Sequence, residues 1–182
     1  MKTQVLAAVL FAFCLQPAVA RAAEKDPWRF TFQGQAGLQL GYTPDYGVLA
    51  GLFFGGGPRY KGFEASIDAT LALGPAAGRG FSVLALAMVS IGARRPVSEG
   101  RFVPFADGHL GGGFFTNKGN GQTDAGGLWG GATAGFRSYG VEAPGGMVAL
   151  TGFTPLQKPQ MQTNGSGPVV PLLLRGGITL PR

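Results

Sequence analysis

The stretch W-R-F-T-F-Q-G-Q-A-G-L-Q-L-G-Y, residues 28–42, alternates without a fault. Trp28, Phe30, Phe32, Gly34, Ala36, Leu38, Leu40 and Tyr42 share one phase; Arg29, Thr31, Gln33, Gln35, Gly37, Gln39 and Gly41 share the other. A strand sends successive side chains to opposite faces, so this pattern predicts one strand with an apolar and a polar face. A strand in a soluble domain runs about 5–6 residues, whereas a tilted strand crossing a bilayer needs about 9–11. The stretch is long enough for the second. Aromatics bracket its apolar face and glutamines occupy the other, the pattern of a transmembrane β-barrel strand.

The sequence before it reads as a secretory signal. Lys2 supplies the positive start, 5–15 is an apolar run too short to span, and Ala18-Val19-Ala20 and Ala20-Arg21-Ala22 offer small residues at the cleavage positions. The expected division is a signal peptide at 1–22 and a barrel domain at 23–182. The chain's one cysteine, Cys14, leaves with the signal, which excludes a disulfide framework and a thiolate metal site. Phe13 before it is too bulky for a lipoprotein signal. No later apolar run approaches the roughly 18 residues of a membrane helix. A membrane-spanning form must therefore be a closed barrel, because an open sheet edge leaves backbone groups unpaired in lipid. The net charge is +6, but the basic residues are scattered, with only Arg94 and Arg95 adjacent. That favours a solvated surface, or attraction to anionic lipid headgroups, over nucleic acid.

Eight strands are predicted, at 28–42, 46–57, 62–73, 81–93, 102–115, 127–139, 146–154 and 169–180. In the third, Phe63, Ala65, Ile67, Ala69, Leu71 and Leu73 oppose Glu64, Ser66, Asp68 and Thr70. The fifth puts Asp107 and His109 on one face, and the sixth pairs Thr133 with Arg137. The fourth carries Leu84, Leu86 and Met88 where polar residues are expected, which suits a strand buried on both faces and is a point for a soluble alternative, though a small barrel with a filled interior tolerates it too. The two longest connections, 116–126 and 155–168, fall at one end, opposite the chain termini, as in outer-membrane barrels. A narrow barrel must alternate large and small inward residues, a role for Gly37, Gly41, Gly51, Gly55, Gly111, Gly131 and Gly135.

The strand R-F-V-P-F-A-D-G-H-L-G-G-G-F at 101–114 and the strand G-L-W-G-G-A-T-A-G-F-R-S-Y at 127–139 resemble paired strands of the small, eight-stranded outer-membrane β-barrel proteins. The resemblance implies an all-β, eight-stranded antiparallel up-and-down transmembrane barrel after a cleaved signal. Such barrels end on an aromatic residue read by the assembly machinery; this chain ends Ile178-Thr179-Leu180-Pro181-Arg182 and departs from that. Some members are deacylases with a His and a Ser two residues apart. His109-Leu110-Gly111 has no such serine.

Asp107 and His109 are therefore read as an inward hydrogen-bonded pair, not a catalytic one. The inward ionisable set is Arg29, Glu64, Asp68, Asp107, His109, Arg137 and Arg175. Acids and bases in a narrow lumen neutralise one another, because an unpaired charge there is expensive. The expectation is a structural polar lumen, with no catalytic residues, no cofactor and no metal. The functional expectation is a non-enzymatic integral outer-membrane barrel with a structural or surface-interaction role, probing two alternatives: a soluble periplasmic barrel binding a lipid-like ligand, and a lipid-modifying barrel enzyme. The expected partners are outer-membrane lipids, lipopolysaccharide and the barrel assembly machinery, with no nucleic acid and a monomeric state. The soluble form requires Leu38 and Leu40 inside and Gln33, Gln35 and Gln39 in water; the membrane form requires the reverse.

Overall fold

The computed structural model describes residues 31–43, 47–60, 63–76, 80–94, 103–118, 123–138, 144–157, 161–162 and 170–180. These form β1 (Thr31–Thr43), β2 (Gly47–Tyr60), β3 (Phe63–Ala76), β4 (Gly80–Arg94), β5 (Val103–Asn117), β6 (Thr123–Arg137), β7 (Gly145–Pro155), the two-residue β8 (Met161–Gln162) and β9 (Leu172–Thr179). Each of the long strands pairs antiparallel with its neighbour, and β9 pairs with both β7 and β1. The result is a closed eight-stranded ring, in which every interior strand edge is satisfied. β8 only caps the start of β6. The proposed signal at 1–22 and Arg29 lie outside the described residues.

The alternation settles which way the apolar face points. Phe32, Leu38, Leu40 and Tyr42 are exposed on the outside of β1, while Gln39 is buried within. The same holds around the barrel: Leu52 and Phe54, Ile67 and Leu71, Val89 and Ile91, Leu110, Leu128, Val148 and Leu150, and Leu174 and Ile178 all face outward. Exposed aromatics sit near both ends of the strands, with Tyr42, Phe81 and Phe114 at the end of the long loops and Phe32, Phe63 and Phe136 at the end of the termini. The soluble arrangement, with these residues as the core, is the opposite of the one observed.

The interior differs from a uniformly polar lumen. Its loop-side half is filled by Leu49, Ala72, Leu84, Leu86, Met88, Phe115, Ala125, Trp129, Phe153 and Leu173. Leu84, Leu86 and Met88 are thus not a sign of a strand buried in a soluble core; they are β4's share of an apolar filling inside the barrel. Trp129 satisfies its ring N–H on the carbonyl of Gly113 at 3.2 Å, so this layer hides no orphan indole. The inward glycines make room for such packing. At Gly131 a methyl group would run into the ring of Phe153, and at Gly41 into Leu173.

Candidate functional site

The termini-side half of the lumen carries the charged groups, set around a small apolar cluster of Phe53, Phe105, Met147 and Ala149. Its long side chains reach across the lumen between strands that are not neighbours in the sheet. Glu64 on β3 accepts from Gln33 Nε2 of β1 at 2.8 Å and from Arg137 Nη1 of β6 at 2.5 Å, with Arg59 Nε of β2 at 3.9 Å. Arg137 Nη2 donates to Asp107 Oδ2 at 2.9 Å, and its guanidinium lies 3.5 Å over the ring of Phe105. Arg175 on β9 donates to Gln39 Oε1 at 3.2 Å and to Thr70 Oγ1 at 2.5 Å, and stacks on Phe53.

A second chain runs around the wall from β3 to β7. Asp68 accepts from Gln35 Nε2 at 3.2 Å and from the hydroxyls of Ser66 and Ser90. Ser90 Oγ contacts His109 Nδ1 at 2.6 Å, His109 Nε2 contacts Thr133 Oγ1 at 2.7 Å, and Thr133 Oγ1 contacts Thr151 Oγ1 at 2.7 Å. One hydroxyl carries one proton. Ser90 donates its O–H to Asp68, which leaves its oxygen to accept from His109 Nδ1–H. The far nitrogen, Nε2, faces Thr133, whose hydroxyl in turn meets Thr151, so the chain runs unbroken from the carboxylate to β7.

The structure thus brings Glu64, Asp68, Asp107, His109, Arg137 and Arg175 into one half of the lumen. The pairing of Asp107 with His109 is corrected: both ring nitrogens of His109 engage hydroxyls on neighbouring strands, Asp107 Oδ2 receives Arg137, and Asp107 Oδ1 has no hydrogen-bond partner. Arg59 is a member that the strand ending at 57 left out. β2 continues through Pro58 to Tyr60, because its Gly-Gly-Gly-Pro run pairs as strand with β1 rather than turning. Ser90 sits in a mostly apolar strand and is identified only by the register that sets it opposite His109. With Arg59 included, the described lumen holds three guanidiniums (Arg59, Arg137, Arg175) against three carboxylates (Glu64, Asp68, Asp107).

Serine, histidine and aspartate in contact invite a hydrolase reading, but the order is wrong. A nucleophilic serine hands its proton to the imidazole, which the acid orients from its far side. Here Ser90 stands between acid and imidazole and donates its O–H to the acid, not to the ring. Ser90 and His109 are also buried. Among the described residues no group of His, Cys, Asp and Glu could hold a metal ion.

Two glycines shape this half. A Cβ at Gly55 would collide with Asp68 Oδ1, and one at Gly92 with Asp107 Oδ1. Gly55→Ala is expected to displace the Asp68 carboxylate from Gln35 and Ser90, at a cost of about 1–3 kcal/mol. Denaturant titration of the folded barrel measures it, and a midpoint equal to that of the parent chain refutes the steric argument.

No family model matches the sequence, and no curated protein matches it. Among solved structures the fold is similar to Neisserial surface protein A (NspA), with a TM-score of 0.65 and 14% identity over 85% of this chain and 99% of that one. It is also similar to the N-terminal β-barrel domain of Pseudomonas aeruginosa OprF, with a TM-score of 0.51 and 12% identity over 84% of this chain and 100% of that one. The likeness is one of fold: the chain has the closed, eight-stranded antiparallel barrel of these two outer-membrane proteins.

Proposed function

We propose that the protein is an integral outer-membrane β-barrel of a Gram-negative cell envelope, exported through its signal peptide, non-enzymatic, with a closed lumen and a structural or surface-interaction role. The observation that carries this reading is the exposed apolar band on the outside of the long strands, with polar side chains turned inward. An outward apolar surface of this extent has no place in water. The wrong order of Ser90, His109 and Asp68 speaks against lipid-modifying chemistry. Its partners on this reading are outer-membrane lipids and lipopolysaccharide around the wall, and the assembly machinery during insertion. The monomer needs no second copy to close the ring.

Membrane extraction tests the proposal. The protein is expected to resist carbonate and urea, to need detergent for release, and to migrate differently on gels before and after heating. Release by urea alone ends the integral-barrel reading. In planar bilayers the parent chain is expected to carry no steady current; a current that Glu64→Gln or Arg137→Gln abolishes would make the polar cluster a pore filter instead.

A further inference from the structure

We infer that the seal of this barrel is its apolar loop-side layer, and that the ion cluster beneath it lines a water-filled vestibule entered from the end that carries the chain termini. The inference rests on the closed-lumen reading above and locates the closure within it.

Two observations carry it. The first is the contrast in burial along the lumen. All ten apolar members of the layer are buried, at 4% exposure or less, and Ala72, Leu84, Phe115, Trp129 and Leu173 are fully enclosed at 0%. Arg59, Glu64, Asp68, Arg137 and Arg175 are as closely packed as the layer, but Gln33, Gln35, Ser66 and Asp107, which also point inward, each keep intermediate exposure. Space of water size therefore borders these four side chains.

The second is hydrogen-bond accounting. Gln33 Oε1, Gln35 Oε1 and Asp107 Oδ1 are enclosed acceptors that receive no donor among the described residues. Turning the amides over does not help, because Gln33 Nε2 and Gln35 Nε2 each donate to a carboxylate and a flip would set oxygen against oxygen. A buried acceptor without a donor costs about 1–3 kcal/mol, so water is the fitting partner. Beyond the layer, at the loop end, Thr43 Oγ1 and Ser82 Oγ stand in the same position. Within the layer the indole N–H of Trp129 is satisfied on Gly113.

An ion crossing this lumen would have to shed its water in the apolar layer, which is how a hydrophobic constriction stops conduction. The ion cluster, charge-balanced and hydrated, is not the barrier. Removing a charge should then leave the barrel closed, and removing bulk from the layer should open it.

Cysteine accessibility tests this directly. Cys14 is the chain's one cysteine and lies in residues 1–22, so a mature chain lacking that segment is cysteine-free. Ser66→Cys and Ala72→Cys place a thiol on the same inward face of β3, one below the seal and one in it. The protein, folded in detergent, is mixed with a small cationic methanethiosulfonate. Ser66→Cys is expected to be modified while Ala72→Cys stays unmodified until the barrel is unfolded. Equal modification of both, or of neither, overturns the inference. Because this comparison needs no bilayer, its failure is separate from failure of the extraction test. As a second measure, Leu84→Ala, Phe115→Ala and Phe153→Ala together are expected to give steady current in planar bilayers where Glu64→Gln gives none; current from Glu64→Gln would place the seal in the ion cluster. If the triple variant does not fold, the labelling pair decides alone.

Discussion

Arg137→Met is expected to destabilise the folded barrel by about 3–5 kcal/mol, the cost of leaving a buried charge without its partner. Arg137 holds two carboxylates at once, Glu64 Oε2 at 2.5 Å and Asp107 Oδ2 at 2.9 Å. Methionine keeps the stem but removes the guanidinium, and with it both charge-assisted bonds and the stacking on Phe105. Glu64 retains Gln33 and Arg59; among the described residues Asp107 is left without a hydrogen-bond donor. The measurement is the denaturant midpoint of the barrel in detergent or lipid vesicles, read by loss of the heat-modifiable form. Adding Glu64→Gln and Asp107→Asn to Arg137→Met is expected to recover a large part of the loss, because neutral amides do not need the cation. A triple variant as unstable as the single one would assign the effect to the lost stacking on Phe105 rather than to charge. A single variant within about 1 kcal/mol of the parent, the scale of an exposed pair, would mean that water screens the cluster fully.

The logic of that cluster was only half visible in the sequence, and the reason is geometric. Period-two alternation reports which face a residue occupies, so Glu64, Asp68, Asp107, His109, Arg137 and Arg175 could all be assigned inward from the pattern. The same pattern placed the eight strands, with ends that moved by a few residues, because Gly and Pro serve both as turn residues and as strand residues in a narrow barrel. Arg59 was lost for that reason: Gly55 to Pro58 look like a turn and are paired strand. Alternation carries no register between strands. Asp107 and His109 share a face and a strand, but contacts follow the pairing Ser90 with His109 and Thr133 with Thr151, which no property of either strand alone reveals. The apolar layer is ambiguous in the sequence for a related reason. Leu84, Leu86 and Met88 on a nominally polar face fit either a soluble core or a small barrel with a filled interior, and one strand alone does not choose between them. The partners that complete the layer, Trp129, Phe153 and Leu173, lie on three other strands.

Leu38→Arg is expected to cost about 2–4 kcal/mol in a bilayer, the penalty for a charge on the lipid face near the membrane midplane. Leu38 sits at the middle of β1 and is 69% exposed, beside Leu52 of β2 in the register. In water, a surface substitution at so open a position changes stability by about 0.5 kcal/mol at most. The two environments thus give different magnitudes for one variant, with no change in any interior contact. Depth sharpens the test. Tyr42 faces the same way at the loop end of the same strand, in the position of an interfacial aromatic. There the cost of arginine falls to about 0–1 kcal/mol in a membrane, because the side chain reaches the headgroups. Measured by denaturation from lipid vesicles, Leu38→Arg should be clearly worse than Tyr42→Arg. In detergent the difference should shrink, because a micelle gives way around a charge more readily than a bilayer does. Equal costs for the two in vesicles would mean that no hydrocarbon slab surrounds β1. The outward apolar face would then need a protein or ligand to cover it, and the integral-barrel reading would fail at the feature that carries it.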